Sequence, residues 1–178
     1  MRDCLRGLSY IHSLKCVHTD NKPENICIKP STYDITMFGI EIWNKYKDIL
    51  GECNIPIPSY QENINISFVI TDLGSVIFPF EENDGDTFNI VTRQYRPPEV
   101  IIGVKYEKKL YQTLNKKTTD MWHVDIWSMA CILFELLCGE CLFIPCSSAR
   151  YSRNEDHMVL IKELLGDIPI SLINNGIY

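Results

Sequence analysis

At 178 residues and 46% apolar content, the chain has the length and composition of one ordinary globular domain with a core of its own. Its 23 acidic against 17 basic residues give a formal charge of −6, which speaks against unspecific attraction to nucleic acid or acidic lipid and favours a basic partner. Eight cysteines, in a chain whose first residues include Arg2, Asp3 and Arg6 rather than an apolar leader, imply a reducing cytosol or nucleus.

Residues 2–14 read as a first helix, with Leu5, Leu8 and Ile11 or His12 at helical spacing. HTDNKPEN, His18 to Asn25, follows directly. It sets an Asp, a Lys and an Asn around a Pro-held turn, the layout of a phosphoryl-transfer loop. Ile26, Ile28, Phe68 and Ile70 flank two short strand-like stretches. Between them the polar segment from Pro30 to about Asn65 reads as an insertion, with a short helix around Trp43 to Leu50. TDLG, Thr71 to Gly74, closes the apolar run SFVI. Alone it also suits a plain β-turn with an Asx hydrogen bond. Beside the octet it adds the carboxylate that a nucleotide-bound Mg²⁺ needs, because that ion takes few protein oxygens and shares the rest with phosphate and water. Asp20, Asn25 and Asp72 then form a set.

TRQYRPPEV, Thr92 to Val100, comes next, and a second insertion spans Leu110 to His123. VDIWSMAC leads into the longest apolar run, Ile126 to Cys138, which contains Ser128 and Glu135 and is too short to span a bilayer. Apolar nearly all round, it reads as a central helix covered on most sides. CGEC, Cys138 to Cys141, has a metal or redox spacing without a second pair of ligands, and a metal reading is disfavoured. Residues 156–165 read as a last helix, with Met158, Ile161, Leu164 and Leu165 on one side, Gly166 as its stop and Pro169 beyond.

In this order the octet, TDLG, TRQYRPPEV and VDIWS resemble the C-terminal lobe of a eukaryotic protein kinase, with D-L-G in place of D-F-G and P-P-E in place of A-P-E. The fold implied is mainly α with a short β-hairpin, one domain over residues 1–178 with insertions at about 30–65 and 110–123. HTD, DLG, TRQYR and the stretch from Tyr151 to Gly166 together resemble the SR-protein kinases. That family also carries a spacer before the metal-binding Asp, where a plain two-stranded connection needs only about a dozen residues. The LAMMER kinases resemble the chain less.

The resemblance implies ATP and Mg²⁺ as cofactors and Arg/Ser-rich proteins as substrates, for a monomer of cytoplasm and nucleus that binds neither nucleic acid directly nor membrane. It implies Asp20 as the group that accepts or orients the proton of the attacking Ser hydroxyl, and Lys22 as the cation on the transferring phosphoryl group and a nucleotide contact. Asn25 and Asp72 are implied as Mg²⁺ ligands, and Thr92 as a hydroxyl bonded to Asp20 and Lys22. Asp125 resembles the buried Asp that holds the catalytic-loop backbone, and His18 packs under the loop. Glu140, Asp156 and Glu163 match the acidic positions that dock Arg-rich segments.

Thr19 stands where most such loops carry an Arg that pairs with a phosphate, and the family implies activity without that switch. Asn21, where an aliphatic residue is usual, and Pro97 are further departures. Before residue 18 there is no G-x-G-x-x-G loop, V-A-x-K strand or partner Glu helix. The lobe therefore reads as incomplete, its N-terminal counterpart absent and the isolated chain inactive. Two function classes follow: a fragment of an active serine/threonine kinase, and a truncated pseudokinase acting as a binding module for basic peptides.

Overall fold

α1 (Arg2–Ser13) forms where the spacing predicts, with Asp3 in its first turn and His12 in its last, each at the dipole end that suits it. Its inward residues are Cys4 and Leu8, whereas Leu5 is exposed. The inward stripe is Cys4 and Leu8 with Ile11 partly buried, so Leu8 and Ile11 hold their expected places and Cys4, a small hydrophobe, takes that of Leu5. The computed structural model describes residues 1–29, 67–77, 90–104, 122–174 and 176. The Pro30 to Asn65 insertion, its helix around Trp43 to Leu50, and most of the second insertion lie outside the described residues.

Lys15, at φ 61, turns the chain out of α1 into the octet, whose Pro23–Asn25 stretch is a 3-10 turn with Pro in its first position. β1 (Ile26–Lys29) then pairs antiparallel with β2 (Ser67–Ile70), Ile26 opposite Ile70 and Ile28 opposite Phe68. This is the expected hairpin-like pair, and α1 packs on β2. A further antiparallel bridge joins Val17 to Ile77, with both N–H···O distances at 3.0 Å. The octet is thereby flanked by the segment that follows TDLG.

α2 (Pro98–Ile101) opens on Pro98, whose missing N–H costs nothing at a helix start. α3 (Trp122–Cys138) begins earlier than expected, so Trp122 and His123 belong to the helix rather than to the insertion. Val124, Asp125, Ser128, Met129, Cys131 and Ile132 are buried. Leu136 and Leu137, however, are 64% and 78% exposed, and Ile126 and Leu133 are exposed as well. Among the described residues α3 is covered on one face only, which corrects the expectation of a helix wrapped on most sides. An all-apolar sequence states what a helix tolerates, not which neighbours reach it.

α4 (Arg153–Leu165) starts three residues before the expected boundary because Ser152 and Glu155 form a capping box. Ser152 Oγ accepts from Glu155 N at 3.2 Å, and Glu155 Oε2 accepts from Ser152 N at 2.6 Å. Its inward residues are His157 and Ile161, with Met158 partly buried, while Leu164 and Leu165 are exposed. The helix ends at Gly166, φ 88, a left-handed backbone that suits glycine. Pro169 precedes the short α5 (Ile170–Ile173). No described helix is long and apolar enough to cross a membrane.

Candidate active site

The site rests on a buried carboxylate in the first turn of α3. Asp125 is fully buried, and its Oδ2 accepts from His18 N at 2.9 Å and His12 Nε2 at 2.8 Å. Its Oδ1 accepts from Thr19 N at 2.9 Å and Asn21 Nδ2 at 2.8 Å. Four donors fill the acceptor capacity of one carboxylate, the condition under which a buried charge is tolerated. The second insertion therefore does not prevent Asp125 from docking under the loop. His12 is braced in turn by Trp122, which stacks on it at 5.6 Å with Lys15 Nζ 5.0 Å from the indole centroid.

Two buried side chains tie the octet to the TDLG segment. His18 is fully buried, as its structural role requires, and its Nε2 donates to the Thr71 carbonyl at 2.9 Å while Nδ1 accepts from Asp20 N at 3.3 Å. Thr19 holds φ 68, an unusual value for a β-branched residue, and its Oγ1 donates to the Ser75 carbonyl at 2.7 Å. The Asn25 carbonyl accepts from Thr71 N at 2.8 Å.

At the centre, Asp20 Oδ1 accepts from Thr92 Oγ1 at 2.7 Å. Its Oδ2 accepts from Lys22 Nζ at 2.7 Å and from Asn25 Nδ2 at 3.1 Å. Burial alone raises the Asp20 carboxyl, but the bonds from Lys22, Thr92 and Asn25 together outweigh it, so its pKa lies below the usual value. The bond to Asp20 in turn raises Lys22 above its ordinary range against the opposing effect of burial, and Glu24 and Asp72 add to the rise. The pair stands ionised at neutral pH. The expected Thr92 bond to Asp20 is present, and the Lys22 ammonium is held by Asp20 itself.

Thr92 is positioned by an unusual backbone. Val91 precedes it at φ 71, and Arg96 donates from Nε at 3.1 Å and from Nη2 at 2.8 Å to the Val91 carbonyl. Ser128 Oγ donates to the Tyr95 carbonyl at 2.9 Å, and Tyr95 OH donates to Glu135 at 2.7 Å, so α3 carries this segment too. A carboxylate base works only when ionised, so a reaction that used Asp20 in that role would slow as pH drops through its lowered pKa. Its contribution to stability follows the same sign: present above the unfolded pKa and lost as pH falls through the folded one. Thr92→Val removes one of the stabilising bonds and is expected to move the acid limb of the pH–rate profile to higher pH. An unmoved limb contradicts the assignment.

Asp72 sits at φ 63, ψ 68 with its side chain exposed. A Cβ on Gly74 would stand 3.3 Å from Asp72 Oδ1, so the glycine leaves room for that carboxylate. Asn25 spends its Nδ2 on Asp20, at 2.8 Å to the carbonyl as well as on the carboxylate, which leaves Oδ1 as the atom that could meet a cation. An amide oxygen and a carboxylate form the hard, all-oxygen donor set that fits Mg²⁺. A cavity of about 600 Å³ opens beside Asp20, lined by Thr19, Gly74, Ser75, Thr92 and Arg96 among others.

Asp20, Lys22, Asn25 and Thr92 thus meet directly, and Asp72 lies close enough for its charge to reach Lys22. The docking candidates form a different group. Asp156 and Glu163 lie on α4 about two turns apart, hence on one side of the helix, and Glu140 follows the end of α3. Glu140 and Glu163 are exposed, whereas Asp156 is half-buried and its Oδ2 accepts from Cys146 N at 2.7 Å. Cys138 and Cys141 both carry free thiols. Glu99 lies 3.0 Å from His123 Nε2. His12 and Ser75 were not foreseen, because nothing local in the sequence marks their distant partners, and Arg96 was missed because its partner is a backbone carbonyl, that of Val91.

The family model for the protein kinase domain matches residues 1–172. The chain is 31% identical over 206 residues to the serine/threonine-protein kinase SRPK of Physarum polycephalum, an alignment covering 98% of this chain and 42% of that protein. It is 32% identical over 174 residues to the serine/threonine-protein kinase AFC1 of Arabidopsis thaliana, covering 97% and 30%. With SRSF protein kinase 3 of Homo sapiens it shares 42% identity over 113 residues, covering 64% and 17%. The chain spans less than half the length of these relatives.

Proposed function

The chain belongs to the protein kinase domain family, with kinases of the SR-protein type among its relatives, and from that premise we propose that the protein carrying it phosphorylates serines of Arg/Ser-rich proteins at the expense of ATP. Residues 1–178 correspond in this reading to the C-terminal lobe. The observation that carries it is the Asp20 carboxylate, kept ionised between Thr92, Lys22 and Asn25 on a loop anchored by Asp125.

A carboxylate so placed accepts the proton of an incoming serine hydroxyl as its oxygen bonds to phosphorus. Lys22 offsets negative charge on the transferring group, and Asn25 with Asp72 would hold the cation. When bound, Mg-ATP supplies the phosphoryl group, and its metal counters charge at the leaving oxygen. Positioning dominates this chemistry, which is why so many bonds hold one short loop.

The choice of Arg/Ser-rich substrates is supported by the name of the human relative, by the net charge of −6, and by Glu140, Asp156 and Glu163. An Arg-Ser repeat peptide is expected to bind the chain without ATP and to bind more weakly as salt rises. Asp156→Asn with Glu163→Gln removes two charges yet leaves an acceptor for Cys146 N. Calorimetric titration of this double variant is expected to show about tenfold weaker binding, since each exposed ion pair contributes up to about 1 kcal/mol. Unchanged affinity, or equal affinity for poly-Lys, contradicts the docking role.

A further inference from the structure

Asn21 lies between Asp20 and Lys22 and is 1% exposed. Its Nδ2 donates to Asp125 Oδ1 at 2.8 Å, and its Oδ1, equally buried, has no hydrogen-bond partner among the described residues. The orientation is fixed, because a flipped amide would set Oδ1 against the carboxylate. An orphaned buried carbonyl costs about 1–3 kcal/mol, which offsets most of what a bond to a carboxylate returns. Net stability therefore does not account for an amide here, and an unsatisfied group of this kind calls for another role.

Its place in the loop supplies one. The amides of His18 and Thr19 attach the chain to Asp125 ahead of Asp20. Asn21 extends the same attachment past Asp20, so that Asp125 grips the loop on both sides of the base. Asp20 and Lys22 flank the pinned residue, and their side chains meet at 2.7 Å. We propose that Asn21 is a positioning residue that fixes the Asp20–Lys22 pair through its bond to Asp125. The inference deepens the kinase reading above and rests on it for its kinetic consequences.

Asn21→Leu, made in the gene-encoded protein, keeps the branched shape at a somewhat larger volume and removes both the bond and the orphaned oxygen. The expected result is a fall in kcat of about tenfold, as misplacement of reacting groups produces. KM for ATP and for an Arg-Ser peptide should stay within about twofold, and the thermal midpoint should be unchanged or raised. Amide hydrogen exchange at Thr19 and Asp20 should quicken while β1 and β2 stay protected. An unchanged kcat, or a fall in kcat matched by lost thermal stability, overturns the proposal. Should the leucine variant fail to fold, Asn21→Ala serves for the same readings. If the wild-type protein transfers no phosphate, the kinase reading fails and exchange decides alone: faster exchange at Thr19 and Asp20 supports the positioning role, and unchanged exchange overturns it.

Discussion

Asp20→Ala, made in the protein that carries this chain, is expected to lower kcat by about 10²–10⁴-fold, the range that a positioned general base contributes. The substitution removes the acceptor on which Thr92 Oγ1, Lys22 Nζ and Asn25 Nδ2 converge. Lys22 is partly exposed and turns to water, so the fold should survive with little loss. Asp72→Ala should be comparably severe through a different route, because it removes the proposed cation ligand and leaves Asp20 in place. Turnover on a peptide substrate separates the two. Near-normal turnover in Asp72→Ala would show that the metal is held elsewhere, and near-normal turnover in Asp20→Ala would remove the base assignment.

Asp125→Ala is expected to have the largest effect on stability. It leaves four donors without their acceptor in a fully buried place: the His18 and Thr19 amides, His12 Nε2 and Asn21 Nδ2. At about 1–3 kcal/mol per buried unsatisfied group, the loss is about 4 kcal/mol or more. That is a large part of the roughly 5–15 kcal/mol that holds a domain together. Asp125→Asn should be milder, since its one carbonyl oxygen still accepts. Urea unfolding of both variants checks the order, and an alanine variant as stable as wild type would deny the anchor its role.

The octet was legible as a cluster because Asp20, Lys22 and Asn25 are close in sequence, and the structure joins their side chains. Thr92 and Asp125 were legible only through family resemblance, since nothing local says that a hydroxyl or a carboxylate far along the chain reaches Asp20 or the loop. The structure gives Thr19 a bond to the Ser75 carbonyl where the sequence showed only an absent Arg. Asn21 was visible as a departure without a meaning until its partner on α3 was in place.

Apolar faces were read less well than the site. The run on α3 carries no polar stripe, so periodicity does not tell which side is packed, and Leu136 and Leu137 prove exposed. On α4 the spacing of Leu164 and Leu165 suggested an inward face, but the core ends at Ile161. The start of α4 was readable in principle, because Ser152 followed by Glu155 is a capping signature.

The measurement closest to the central proposal is transfer of labelled γ-phosphate from Mg-ATP to an Arg-Ser repeat peptide by the gene-encoded protein, with the modified residues located by mass spectrometry. Phosphate on serine, lost in the Asp20→Ala protein, is the predicted result. Tight peptide binding without transfer would contradict it and mark the protein as a binding module for basic peptides.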